Sequence, residues 1–237
     1  MNININADVG EGLGNEKLIM PFLNSCNIAC GGHAGDAKTI KRTIKLAKKH
    51  NLNIGAHPSY PDRTNFGRVS MDISALQLKK ELLKQLNLFH EIAIENDVKI
   101  SHIKPHGALY HDISKNTSSA KILIEVLHEM DLNAKLVLPY KAPMLSFFSS
   151  HFLLEREAFI DRRYNIDLTL VSRDKKNAVI LEAKEAVQQL VDMVKKNRVN
   201  TIQRVYRDLK ADTFCIHGDH PNVLPILNAI HKSEDLT

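Results

Sequence analysis

The sequence predicts an α/β protein in which about seven strand-and-helix units build a parallel sheet that closes, or nearly closes, into a barrel. Short apolar runs alternate with longer stretches of helical period. Four segments, residues 27–33, 53–57, 102–106 and 214–217, end in His33, His57, His106 and His217. A parallel β/α sheet brings the carboxyl ends of its strands to one rim, so imidazoles at such positions predict one shared active site. The length of 237 residues, 43% of them hydrophobic, suits one domain over residues 1–237 with an ample core.

Strands are expected at residues 3–6, 25–29, 53–56, 99–103, 135–138, 153–159 and 213–216. The first helix signal is Asp36, whose carboxylate can cap the stretch that opens at Ala37. From Ser74 to about Asn96, Leu78, Leu82, Leu86, Phe89 and Ala93 recur every three or four residues as one apolar stripe. From Glu182 to about Lys196, Ala183, Ala186, Val187, Leu190, Val191 and Val194 do the same. Pro221 suits the first turn of a final helix. Low-complexity linkers, composition breaks and internal repeats are not evident.

The net charge of +5 comes from 32 basic and 27 acidic residues scattered along helical stretches, which reads as solvated helix faces. With Trp absent and aromatics at 5%, stacking platforms for bases are hard to build, so no nucleic-acid partner is expected. No run approaches the roughly twenty apolar residues of a membrane span, and the start carries no export signal. Cys26, Cys30 and Cys215 make an odd count within apolar runs and read as reduced core residues of a cytoplasmic protein. A zinc site on Cys26 and Cys30 would need two further ligands.

The chemistry-bearing residues fall in the loops after these strands. Asp8 and Glu11 follow the first strand beside Gly10, Gly12 and Gly14, where backbone amides could approach an anion, although a glycine-rich turn is an equal reading. A Walker-type P-loop is absent from the sequence. Arg63 and Arg68 could each grip a carboxylate, with a surface ion pair as the plainer reading, more so for Arg63. Lys104, partly desolvated beside His106, could serve as acid, base or oxyanion partner. Glu157, Phe159 and Asp161 share a face if extended, and the acids are either catalytic or metal partners or salt-bridged to Arg162 or Arg163. His217 and Asp219 add an imidazole and a carboxylate, the latter also suited to capping the last helix.

Taken in order, the blocks at residues 6–12, 27–36, 55–62, 66–68, 104–110, 157–162, 170–173 and 217–219 resemble the LamB/YcsF family. The resemblance implies a distorted, roughly seven-stranded β/α barrel of the glycoside hydrolase/deacetylase kind. It also implies cleavage of 5-oxo-L-proline to L-glutamate coupled to hydrolysis of ATP to ADP and phosphate, in a complex with 5-oxoprolinase subunits B and C. Transfer of phosphate to the lactam oxygen would activate the carbonyl carbon for water. In that scheme Asp8 or His106 is the general base, Lys104 stabilises developing negative charge and Asp161 joins the catalytic set. Arg68 holds the substrate carboxylate, with Gly10, Gly12 and His217 as further substrate contacts. His33 and His57, with Asp8, are the expected ligands of a divalent metal. Gly32, where the family commonly has Phe, implies a wider mouth, and Asp167-Leu168, where Asp-Gly is usual, an altered loop. Two rivals stand beside this reading: a metal-dependent, deacetylase-like amidohydrolase acting alone, and a non-catalytic protein for ligand binding or assembly.

Overall fold

A computed structural model describes residues 3–236; Met1, Asn2 and Thr237, at the ends of the expected domain, lie outside the described residues. The barrel runs through β1 (Ile5–Val9), β2 (Ser25–Ala29), β3 (Asn53–His57), β4 (His102–Ile103), β5 (Lys135–Pro139) and β6 (Leu154–Phe159). A short antiparallel ribbon follows, β7 (Arg198–Asn200) with β8 (Tyr206–Asp208). β9 (Thr213–Cys215) then closes the barrel by pairing in parallel with both β6 and β1. The helices are α1 (Glu16–Ile19), α2 (Ala37–Lys49), α3 (Ala75–Glu95), α4 (Gly107–Lys115), α5 (Thr117–Glu129), α6 (Leu145–Ser149), α7 (Ala183–Lys196) and α8 (Val223–His231).

The expected capping and periodicity are realised. Asp36 accepts the Thr39 amide hydrogen at 2.7 Å and starts α2, and Ser74 accepts that of Gln77 at 3.2 Å and starts α3. Leu82, Leu86, Phe89 and Ala93 of the α3 stripe are wholly buried, and each large side chain contributes about 1.5–3 kcal/mol by leaving water. Pro221 sits in the turn before Asn222 rather than in the first turn of α8, which starts at Val223.

Two strand boundaries differ most from expectation. β1 runs to Val9, past the residue 6 at which the apolar run stops, and only His102–Ile103 of the expected 99–103 pairs as β4. The inside of this barrel is polar. Asp8 stands in register with Asn27, Asn27 with Gly55, and Gly55 with His102. Asn27 donates to Asn6 and Asp8 at 2.8 Å each, and its own oxygen lies 2.7 Å from His102 Nε2. Asn6 donates to Glu157 at 3.0 Å and Thr213 at 2.8 Å, tying β1 to β6 and β9. Gly55 is where the His102 ring fits: a Cβ there would lie 2.2 Å from its Nε2. Helices cover the outside, so the strands are buried on both faces.

Candidate functional site

At one rim of the barrel a cavity of about 820 Å³ opens, lined among others by Asp8, Glu11, His57, Arg68, Lys104, His106, Glu157 and His217. Lys104 follows β4 directly and is buried with its ammonium 3.0 Å from Asp8 Oδ1 and 2.9 Å from Glu157 Oε1. Cys215 Sγ lies 3.2 Å away, so the three N–H bonds of the ammonium are occupied. Burial works to lower the Lys104 pKa, but Asp8, Cys215 and Glu157 outweigh it and hold it well above the ordinary value. Burial likewise works to raise Asp8, and His57 and Lys104 overcome it, leaving the carboxyl well below the usual range. Tyr110 donates to the second Glu157 oxygen at 2.8 Å.

Next to Asp8, three imidazoles and a carboxylate converge. Glu11, His33, His57 and His106 each offer a ligand atom, all within 4.8 Å of one another. His57 Nδ1 lies 2.6 Å from the Lys104 carbonyl oxygen and His106 Nε2 2.9 Å from that of Phe66, so each of these nitrogens donates. The remaining lone pairs, His57 Nε2 and His106 Nδ1, then face each other at 2.9 Å. Two acceptors that close repel unless a cation accompanies them. Burial first, and then the charge of His57, push His33 to about 3 and His106 to about 2. His33 Nε2 meets Glu11 Oε1 at 2.9 Å, while its Nδ1 is buried without a partner. Burial, then Asp8, raises Glu11 to about 7. Three imidazoles and one carboxylate form a donor set suited to zinc or another divalent first-row metal.

The cluster is held by the loop after β3. His106 donates its backbone N–H to the Pro58 carbonyl at 2.8 Å, and Ala108 donates to Gly67 at 2.9 Å. At Gly107, which has φ +55°, a Cβ would come within 2.5 Å of that Gly67 oxygen, so glycine permits the loop to dock on the start of α4. His33 and His106 stack at 3.7 Å, with Phe66 edge-on to both.

Several expected residues have different neighbours from those anticipated. Arg68, not Arg63, makes the surface ion pair, to Asp219 at 2.7 Å, whereas Arg63 donates to the carbonyls of Gly31 and Gly35. Asp219 serves Arg68 and, at 3.5 Å, Arg173, and it does not cap α8. Asp161 is buried and both its oxygens lie 2.9 Å from His217 Nδ1. Neither Asp161 nor Glu157 bridges to Arg162 or Arg163, and Arg163 pairs with Glu185 instead. Gly10 and Gly12 both have positive φ and bend the chain after β1, outside the cavity lining. Gly32 is buried under Ser59 and Gln85, where a Cβ would lie 2.4 Å from Ser59 Oγ, so it does not widen the mouth. Leu168 adopts φ +68° in the Asp167-Leu168 turn and lines the cavity.

Asp8, Lys104, His106, Arg68 and His217 thus share the cavity, and His33 and His57 join His106 through the cluster. The expected metal set had Asp8 in place of Glu11 and His106; Asp8 Oδ2 lies 3.4 Å from His57 Nε2, beside the cluster. Asn6, Asn27 and Tyr110 were not singled out, and Glu11 and Glu157 were noted as chemistry-bearing acids but given no assigned role. Glu11 had a signal, its place in the loop after β1 beside Asp8.

Fold and site together define a parallel β/α-barrel protein with a buried lysine–carboxylate network beside a metal-competent imidazole cluster. The chain belongs to the LamB/YcsF family, whose model matches residues 3–235. It is 38% identical over 238 residues to the 5-oxoprolinase A subunit of Pyrococcus abyssi, covering 98% of this chain and 93% of that one. It is 39% identical over 229 residues to the 5-oxoprolinase A subunit of Haemophilus influenzae, covering 96% and 94%. The lactam utilization protein of Thermus thermophilus superposes with a TM-score of 0.91 at 28% identity, over 98% of this chain and 95% of that one.

Proposed function

We propose that this chain is the A subunit of an ATP-hydrolysing 5-oxoprolinase, opening the lactam of 5-oxo-L-proline to L-glutamate together with subunits B and C. One observation carries the reading: relatives bearing that subunit name match it almost end to end at 38–39% identity. Its three buried, unbridged thiols suit a reducing cytoplasm.

The chemistry follows from the weak electrophilicity of an amide. ATP gives its γ-phosphoryl group to the lactam oxygen, releasing ADP, and the ring nitrogen loses its proton. One water adds to the activated carbon, the C–N bond breaks as nitrogen takes a proton, and γ-glutamyl phosphate results. A second water cleaves that acyl phosphate to glutamate and phosphate. Asp8, ionised and fixed by Asn27 and Lys104, is the base toward the first water. Lys104, with its N–H bonds occupied, stabilises developing negative charge through its field and by orienting Asp8. Asp161 orients His217 at the wall, and Arg68 takes the substrate carboxylate in exchange for part of its bond to Asp219. A divalent ion held by Glu11, His33, His57 and His106 would supply Lewis acidity toward a carbonyl or phosphoryl oxygen.

The test is the complex reconstituted with subunits B and C, assayed for glutamate and ADP from 5-oxoproline and ATP. His106→Ala is expected to abolish glutamate release in a folded chain, and near-normal turnover overturns its role. Metal content measured on the purified chain should fall to background in His57→Ala/His106→Ala. The imidazole cluster also favours a second reading, an amidohydrolase acting alone; activity that needs no ATP and is lost to chelator would select it.

A further inference from the structure

Apart from the lysine network and the imidazole cluster, the same cavity has a second basic region, formed by Arg162, Arg173, His111 and Lys115. Arg162 is only 6% exposed. One Nη donates to the Val171 carbonyl at 2.6 Å, while Nε is buried with no partner. Among the described residues no carboxylate lies within ion-pair distance of it, since Asp161 is taken by His217 and Asp219 by Arg68 and Arg173. Burial, and then the charge of Arg173, press its pKa down, so two cations stand close with too little negative charge between them. His111 is lowered by burial and then by Lys115 and Arg162, which places it in the same field.

A buried guanidinium left unpaired is unfavourable unless something else completes it. Its planar fork matches a phosphoryl group or a carboxylate in two-pronged fashion, and the reading above already gives the substrate carboxylate to Arg68. The cavity, about 820 Å³, also exceeds what a five-membered ring fills. 5-Oxoproline carries one carboxylate, whereas its phosphorylated form carries a dianionic group as well.

We infer that Arg162, with Arg173, forms a phosphoryl subsite that holds the phosphate of the activated lactam and of γ-glutamyl phosphate. This rests on the ATP-coupled reading above, and it assigns to this chain the substrate after phosphoryl transfer. Arg162 receives the dianion, and the carboxylate end is left to Arg68.

The test is calorimetric titration of the full chain with inorganic phosphate and, separately, with 5-oxoproline at constant ionic strength. Phosphate should bind, Arg162→Leu should weaken it at least tenfold, and 5-oxoproline affinity should change less than twofold. Arg162→Lys, which keeps the charge but not the fork, should fall between. If Arg162→Leu fails to fold by circular dichroism, Arg173→Gln replaces it, with phosphate weakened at least threefold. Absence of phosphate binding to the wild-type chain, unchanged phosphate affinity in the variants, or a loss confined to 5-oxoproline overturns the subsite. Glutamate release by the wild-type complex is measured alongside, so failure of the ATP-coupled reading is seen independently of the phosphate result.

Discussion

Replacing Lys104 with Met tests the buried network at its centre. The ammonium is 3% exposed and neutralises two carboxylates, Asp8 at 3.0 Å and Glu157 at 2.9 Å. Met keeps an unbranched stem but strands both acids in a desolvated site. Removing one partner of a buried ion pair costs about 3–5 kcal/mol, a large share of the ~5–15 kcal/mol that holds a domain folded. At roughly 2–4 °C per kcal/mol for a chain of this size, Tm should fall by roughly 6–20 °C. Adding Glu157→Gln removes one of the stranded charges, so the double variant should be less destabilised than the sum of the singles, by about 0.5–3 kcal/mol. Urea unfolding followed by circular dichroism at pH 7 measures all four states, and glutamate release by the complex reports function. A Lys104→Met chain within about 1 kcal/mol of wild type would refute the network as described.

Other consequences are read more simply. Burial, followed by the Lys104 charge, lowers His102 to about 3. Its folded pKa lies below the unfolded value, so its contribution to stability is complete above about pH 6.5 and is lost as pH falls from there toward 3. His102→Gln should therefore flatten the acid-side decline in the urea midpoint by up to about 1.4 kcal/mol per pH unit, and an unchanged slope contradicts this. Gly55→Ala drives a methyl into the His102 ring and should cost at least about 1–3 kcal/mol in thermal unfolding. Arg68→Ala breaks a half-exposed pair, so stability should change by less than about 1 kcal/mol while KM for 5-oxoproline rises in the steady-state assay.

Much of the fold was legible because covering helices write a clear period. The cap Asp36 and the stripe from Leu78 to Ala93 in the run that opens at Ser74 mark α2 and α3 to within a residue or so. The β7–β8 ribbon was not legible, since Tyr206, Arg207 and Asp208 are exposed and carry no buried alternation. β1 was misplaced because an apolar-core rule ends the strand at Asn6, before Asp8, and both residues line a polar interior that only closure of the barrel creates.

The site divides along the same line. Residues that end a run, such as His57 and His106, show themselves because an imidazole at a strand end departs from local pattern. Partners supplied by distant strands do not. Glu157 completes Lys104 from 53 positions away, and Asn6 meets Thr213 across 207. Asn6 and Thr213 alone read as ordinary polar residues, and Glu157 as an acid whose partner is unspecified; the closed order β1-β2-β3-β4-β5-β6-β9 is what turns them into one hydrogen-bonded unit. The same closure explains why Arg162 had to be found in three dimensions. In sequence it adjoins Asp161 and invites a salt bridge, yet neighbours on an extended segment point to opposite sides, and His217 from the end of β9 captures the acid first. The guanidinium is thereby left to face the cavity without a counter-charge of its own.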